Sequence, residues 1–490
     1  MDCTRKIPDI DMSRHLLFFL LGWVAFRASA QTPTPQWRPV YHFTPEKNWT
    51  NDPNGPIFLN GKWIVYNQQN PFENKWGHMS WGHAVSTDLL HWQHLPVAIP
   101  EVIDRVKGDT TWIFSGSAVW DEHNSSGFCT GGGCLVAIYT AHQPNLHKES
   151  QYIAYSNDGG MSFTNYAQNP VIDLQKRDFR DPNVFWHKPS GQWVMAVSLP
   201  SEHKIRIYGS ADLKNWNLLS EFGPEGYIDA NWECPSLIQL PVADASGSAS
   251  GTTKWVLMNS AAGGKRGVFM QYFVGDFDGK TFKNDNPADV VLTVDYGDCF
   301  YAAIPWNNAP QDAKILVGWM IPPKQETYPW RGQFSIPRDL SLVKTDAGYR
   351  LQQQPAGVVR QAIAGAPSGT PISLDRLTGN SYWLDAAWEV KAGATVGFTL
   401  AGGTVVAYDA AAHQLYVDRG KGDRLTLPVT GVDSHIRLQV LFDNSSLEVF
   451  VNGGEQVMTT YVYPPAGAGG CSVIGKGGLK KIQVWNLSKI

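Results

Sequence analysis

The sequence predicts an all-β protein: a five-bladed β-propeller followed by a C-terminal β-sandwich. Three observations carry this. The 490 residues include 47 Gly and 31 Pro, so turns are frequent. Five similar apolar strands recur at long, regular intervals through the first two thirds of the chain, the mark of a radial repeat. Beyond residue 363 the pattern changes to two-residue alternation, which suits sheets with one packed face and one wet face.

The first 30 residues read as a leader. Arg5, Lys6 and Arg14 precede the apolar run from Leu16 to Phe26, and Ala28-Ser29-Ala30 forms a small-residue cleavage site before Gln31. The apolar run is too short to span a bilayer comfortably. The expected mature protein is soluble, secreted or periplasmic, free of membrane, and by default a monomer. Cys3 leaves with the leader, so five cysteines remain. Cys129 and Cys134 bracket Thr-Gly-Gly-Gly and are placed to close a small disulfide loop. Packing alone is the expected role of Cys234 and Cys299.

Residues 31–340 supply the propeller. Its repeating strands are Lys62–Tyr66, Leu135–Tyr139, Gln192–Val197, Lys254–Met258 and Lys314–Trp319. A weaker repeat pairs Ser86-Thr87-Asp88 with Ser210-Ala211-Asp212, and Ser156-Asn157-Asp158 and Gly275-Asp276 fill similar slots. Such units read as blade-ending turns in which Asp or Asn caps its own backbone. The polar stretch 341–362 reads as a linker. Residues 363–490 form the sandwich, with its clearest strands at His435–Phe442 and Ser446–Asn452; Asn452-Gly453 marks a tight turn. Packing against the propeller is its expected role, with sugar binding as the alternative.

A net charge of −4 gives no nucleic-acid footprint, while 20 Trp and 18 Tyr offer flat rings that suit sugars as well as cores. The chemistry concentrates in three strings where an acid stands just before a proline: Asn51-Asp52-Pro53-Asn54-Gly55, Arg180-Asp181-Pro182 and Glu233-Cys234-Pro235. Proline drives its predecessor toward extended backbone, so these acids are expected at strand ends or turns. In a propeller, residues from several inner strands converge on one channel. Three convergent carboxylates supply a nucleophile, an acid/base and a charged clamp for glycoside cleavage. Asn51 and Asn54-Gly55 are expected to hold Asp52 ionised. Glu233, with a longer arm and a Trp neighbour, is the expected proton donor. An Asp or Glu capping a turn explains any one string, but not three together. His78 and His83 hint at a metal, yet no third ligand accompanies them; no metal and no cofactor are expected.

These strings resemble glycoside hydrolase family 32, the invertase, inulinase and levanase family. Trp49-Thr50-Asn51-Asp52-Pro53-Asn54-Gly55 is similar to its nucleophile motif, Arg180-Asp181-Pro182 to its transition-state stabiliser motif, and Glu233-Cys234-Pro235 to its acid/base motif. Further matches are Gln68 with Asn70-Pro71, Trp76, Phe114-Ser115-Gly116-Ser117, Asp298 with Tyr301, and Trp330-Arg331-Gly332-Gln333. The resemblance spans residues 37–490. It implies catalytic Asp52, Glu233 and Asp181. It also implies a substrate pocket formed by Asn51, Gln68, Trp76, Phe114, Ser115, Ser117, Arg180, Asp298, Tyr301 and Trp330. Core packing is the alternative role for Trp76. Thr50 departs from the usual apolar residue and is expected to retune packing behind Asp52. Asn67-Gln68-Gln69 lacks the usual flanking aromatic, which bears on substrate preference.

The implied activity is retaining, exo-acting release of terminal β-D-fructofuranosyl units from fructans such as inulin and levan, with sucrose as a further substrate. Endo cleavage and fructosyl transfer use the same residues. An inverting, arabinan-type five-bladed glycosidase would want a wider acid-to-base gap. A non-catalytic fructan-binding protein would lose nothing on replacement of Glu233.

Overall fold

The computed structural model describes residues 33–490, apart from 107, 244–248, 367–368, 431 and 433. The leader expected at residues 1–30 lies outside the described residues. No helix among the described residues is long and apolar enough to cross a membrane.

The propeller is built from five antiparallel four-stranded blades. The first runs Asn48–Leu59, Lys62–Asn70, Ser80–Ser86 and Gln93–Ile99 in spatial as well as chain order. The second uses Asp109–Asp121, Cys134–Gln143, Lys148–Ser156 and Ile172–Lys176, and the third Arg180–His187, Gln192–Leu199, Lys204–Ser210 and Asn217–Phe222. The fourth uses Asn231–Ala243, Ala249–Gly263, Gly267–Phe277 and Phe282–Asn284. The fifth uses Phe300–Pro305, Ile315–Met320, Arg338–Thr345 and Gly348–Pro355. Each of the five repeating strands seen in the sequence falls in the second strand of its blade. That strand has neighbours on both edges and faces packed by adjoining blades, so it reads as a continuous apolar run. The ring closes where Trp330–Arg331 pairs in parallel with Asn48 and Trp49.

The repeated acidic turns cap their own backbone as read, but each leads from the third strand of its blade into the outermost one rather than ending the blade. Asp88 accepts the backbone N–H groups of Leu90 and His91, Asp158 those of Met161 and Ser162, and Asp212 those of Lys214 and Asn215. In the fourth blade the cap is Asp278, which accepts from Lys280 and Thr281, while Asp276 pairs with Lys254.

The expected linker is not one over most of its length. Residues 338–345 and 348–355 form the outer hairpin of the fifth blade, registered from Arg338↔Pro355 to Thr345↔Gly348. Its polar residues mark a hairpin with one solvated face, and the helix Gly357–Gly365 follows.

The sandwich stacks Ser381–Glu389, His435–Asp443, Ser446–Val451, Gln456–Tyr461 and Leu479–Asn486 on a second sheet of Thr395–Thr399, Val405–Asp409, Gln414–Asp418, Arg424–Pro428 and Ser472–Ile474. Its strands alternate, but the outer face of the first sheet is dry. Trp383, Leu441, Phe450 and Val457 pack onto Ile315, Val317, Phe334 and the helical Val359 and Ile363. Both residue sets of Ser446–Val451 are therefore buried.

A buried charge network crosses this junction. His42 presents Nδ1 to Asp443 at 2.8 Å and Nε2 to Glu448 at 2.9 Å. Arg338 bonds Glu448 at 2.5 Å and Asp295 at 3.0 Å, and all of these side chains are excluded from solvent. Ionised carboxylates only accept, so both ring nitrogens of His42 must carry protons. Burial opposes this, but the bonds to Asp443 and Glu448 outweigh it and raise the His42 pKa to about 9.

Candidate active site

The three acid–proline strings lie toward the starts of inner strands: Arg180 and Asp181 open Arg180–His187, Glu233 is third in Asn231–Ala243, and Asp52 is fifth in Asn48–Leu59. Each lies where the innermost strand of its blade loses register with the second: between Thr50 and Pro53, Arg180 and Asn183, and Glu233 and Ser236. The other two inner strands break register in the same way, between Ile113 and Gly116 and between Tyr301 and Ile304. A β-bulge interrupts the ladder, so a residue without an N–H is tolerated there, and it redirects side chains out of the strand's alternation. The prolines are thus the sequence trace of bulges. Left-handed backbone at Asp181 (φ 66°), Cys234 (φ 48°) and Ala302 (φ 50°) accompanies them. Such conformations are costly for non-glycine residues and persist where surrounding structure holds them. Gly55 has φ +47°, and a Cβ there would lie 2.9 Å from that of Ala118.

The five bulges bring one cluster together. Asp52 accepts from Ser115 Oγ at 2.5 Å and from Asn51 Nδ2 at 3.1 Å. Trp49 Nε1 donates to Asn51 Oδ1 at 2.8 Å and so orients that amide. Asp181 accepts the Cys234 backbone N–H at 2.9 Å. The Cys234 thiol lies 3.7 Å from Asp52 Oδ2 and 3.5 Å from Asp181 Oδ2, joining the two acids. Glu233 accepts on both oxygens: Arg180 Nε and Nη2 reach Oε1 at 2.9 and 2.8 Å, and the Tyr301 hydroxyl reaches Oε2 at 2.5 Å. Pro53, Pro182 and Pro235 line one small hollow with Ser115, Asp181 and Cys234.

Burial pushes the Asp52 carboxyl above its usual range. Ser115 and Asn51 oppose this by bonding its ionised form, and the neighbouring Glu233 charge adds to the rise. Burial also pushes Asp181 up; Arg180 counters it, while Glu233 and Asp52 reinforce it. The Trp neighbour invoked for Glu233 plays no part. Trp232 points to the opposite side of its strand, is fully buried against Phe222 and Phe273, and donates Nε1 to the Tyr227 carbonyl at 2.7 Å. Asp52 draws its donors from Asn51 and Ser115 rather than from Asn54-Gly55.

Trp76 is 50% exposed and meets Trp112 and Phe114 edge to face, so it forms an aromatic rim rather than core. Four other expected pocket residues are engaged elsewhere. Gln68 is buried and donates to the Ile113 carbonyl at 2.9 Å. Ser117 is buried and ties two blades, donating to the Pro182 carbonyl and accepting from Val184 N–H. Asp298 precedes the inner strand and turns to the sandwich, where it bonds Arg419 at 2.7 Å and Thr460 at 2.6 Å. Trp330 is 1% exposed beneath the Arg38 guanidinium and serves ring closure. Residue type and spacing alone do not separate these positions from those that face the cluster. Thr50 is buried, donates to the Gln68 carbonyl and accepts from Asn67 Nδ2.

The sequence reading missed Glu149; Cys234 packs as expected, against Tyr301 and Ala302, but its thiol also joins two of the acids. Glu149 is buried, bonds Arg180 Nη1 at 3.0 Å and accepts the Phe179 N–H, fixing the guanidinium from behind. No motif marks it, because only the fold brings its strand beside Arg180. Cys299 does pack, against Met320 and Tyr461, and Cys129 and Cys134 form a disulfide. His78 and His83 do not converge: His78 bonds Glu101, while His83 lies against Tyr66.

Comparison with known proteins agrees with this architecture. Residues 42–355 match the model of the glycosyl hydrolases family 32 N-terminal domain, and residues 349–486 match that of the family 32 C-terminal domain. The chain is 40% identical to a levanase of Bacillus subtilis, over 97% of this chain and 74% of that protein. It is 36% identical to an extracellular exo-inulinase of Aspergillus awamori, over 95% and 96% of the two chains. The crystal structure of an Aspergillus awamori exo-inulinase superposes with a TM-score of 0.81 at 35% identity, covering 92% of this chain and 97% of that one. A fructofuranosidase of Schwanniomyces occidentalis complexed with fructose superposes with a TM-score of 0.81 at 29% identity, over 93% and 99%. With both of its domains matched and relatives this similar along nearly its whole length, the chain belongs to glycosyl hydrolases family 32.

Proposed function

We propose that this protein is a retaining, exo-acting β-fructofuranosidase that hydrolyses terminal fructosyl units of inulin- and levan-type fructans and of sucrose. The observation that carries the reading is the joining of Asp52, Asp181 and Glu233 around Cys234 and Arg180 by bulges on separate blades. In this reading Asp52 attacks the anomeric carbon, with Ser115 and Asn51 keeping it ionised against burial. Glu233 donates its proton to the departing oxygen. The Tyr301 hydroxyl accepts from protonated Glu233 or donates to the carboxylate, so it serves both states. Glu233 then takes a proton from the water that releases fructose, which retains configuration. Asp181 holds fructose hydroxyls through bonds that tighten in the transition state. Trp76 and Trp112 form the rim that meets the next sugar.

The protein acts outside the cytoplasm, as a monomer, without nucleic-acid or membrane partners. Support comes from the extracellular relatives, the small net charge and the leader-like start. The test is a time course on inulin, levan and sucrose, with anomers read by NMR. Free β-fructose from the first minutes is expected. Oligomers appearing first would overturn exo action, lengthening products would mean transfer, and the α-anomer would exclude Asp52 as nucleophile.

A further inference from the structure

We infer that the propeller carries a second carbohydrate site, at the opposite end of its channel from the carboxylates, which holds a segment of the fructan chain during hydrolysis. This rests on the proposed function for the identity of the polymer. The inner strands place the site. From Ser115, Asp181, Glu233 and Tyr301, four or five residues further along each strand lead to Trp120, Phe185, Ile238 and Pro305. At ~3.3 Å per residue the two ends lie roughly 13–17 Å apart. There the strands open into a cavity of about 720 Å³, within the usual range for ligand sites. Its wall shares Asn183 alone with the hollow beneath the carboxylates. Asn307 closes the channel between them, donating Nδ2 to the Ala118 carbonyl at 2.8 Å and the Val184 carbonyl at 3.2 Å.

The lining selects a neutral polyol. Five tryptophans reach the wall: 120, 186, 193, 255 and 306. Trp186 is 45% exposed and set edge-on to Trp193 at 5.0 Å, and Trp193 is itself fixed by Nε1 donating to Ser125. Indole faces accept the C–H faces of sugars, while Asn183, Gln239 and Asn308 in the same wall offer amide groups to hydroxyls. The charges in the wall are of both signs, with Glu122 set against Lys188 in number. Asp312 pairs with Lys314, and Asp121 is occupied by Ser125 and Ser126. That favours an uncharged chain over a polyanion or a basic peptide. A concave hollow also does not suit the flat surface of a second copy. A second grip on one polymer raises the local concentration of chain ends at the carboxylates without adding a contact there.

The test is affinity electrophoresis in gels containing inulin, with excess free fructose to fill the catalytic pocket, beside steady-state kinetics. The unsubstituted protein should remain retarded by inulin. Trp186→Ala removes the exposed ring, and Ala309→Trp fills the cavity from another wall. Each should weaken inulin binding roughly 3- to 10-fold and raise KM on long inulin while leaving kcat/KM on sucrose unchanged. Unchanged retardation in both variants, or none in the unsubstituted protein, overturns the second site. Absence of turnover on both sucrose and inulin would instead overturn the catalytic reading.

Discussion

His42 makes the junction between propeller and sandwich sensitive to pH. Its ring is wholly buried, and both nitrogens face carboxylates. The folded pKa of about 9 stands against an ordinary 6.5. Because the folded value is the higher, the stabilisation is fully present below pH 6.5. It is lost progressively as pH rises toward 9. Two and a half pKa units at 1.36 kcal/mol each correspond to roughly 3 kcal/mol. In His42→Phe the slope from this group vanishes, and the protein is weaker at pH 6 by about 3–5 kcal/mol, because Asp443 and Glu448 lose a shared cation. The assay is urea unfolding at half-unit steps from pH 6 to 9.5 for both proteins. Other titrating groups contribute to each curve, so the difference isolates His42. Parallel stability–pH curves for the two proteins would refute a charged His42.

Glu233→Gln should lower kcat by about 10²–10⁴-fold on inulin, with less loss on substrates whose leaving group needs no proton, measured by initial rates. Tyr301→Phe removes the hydroxyl bonded to Glu233 and should reduce kcat about 10- to 100-fold; an unchanged kcat would remove Tyr301 from the proton path. Ser115→Ala deletes a donor that holds Asp52 ionised. Asp52 must be charged to attack, so activity is lost as pH falls, and the acid limb of the kcat/KM profile should move to higher pH in the variant. Glu149→Gln loosens Arg180 from behind and should cost about tenfold in kcat/KM, with thermal unfolding little changed.

Length, turn residues and periodicity determined much of this protein from the sequence. Blade strands such as Val194–Val197 are apolar because they have neighbours on every side, and that is visible one residue at a time. Asp52, Asp181 and Glu233 were legible because each bulge leaves a proline beside its acid. The linker was misread because 341–355 is polar on one face, and composition does not distinguish a solvated hairpin from a tether. Only the tertiary structure decided which side chains face the channel. Ser117 and Trp330 look like Ser115 and Trp76 in sequence, yet bulges and ring closure turn them inward to bind neighbouring strands. Glu149, His42 and the tryptophan-lined cavity depend on partners tens to hundreds of residues away. Local sequence encodes backbone preference and burial tendency; direction and meeting are set when five blades close into a ring.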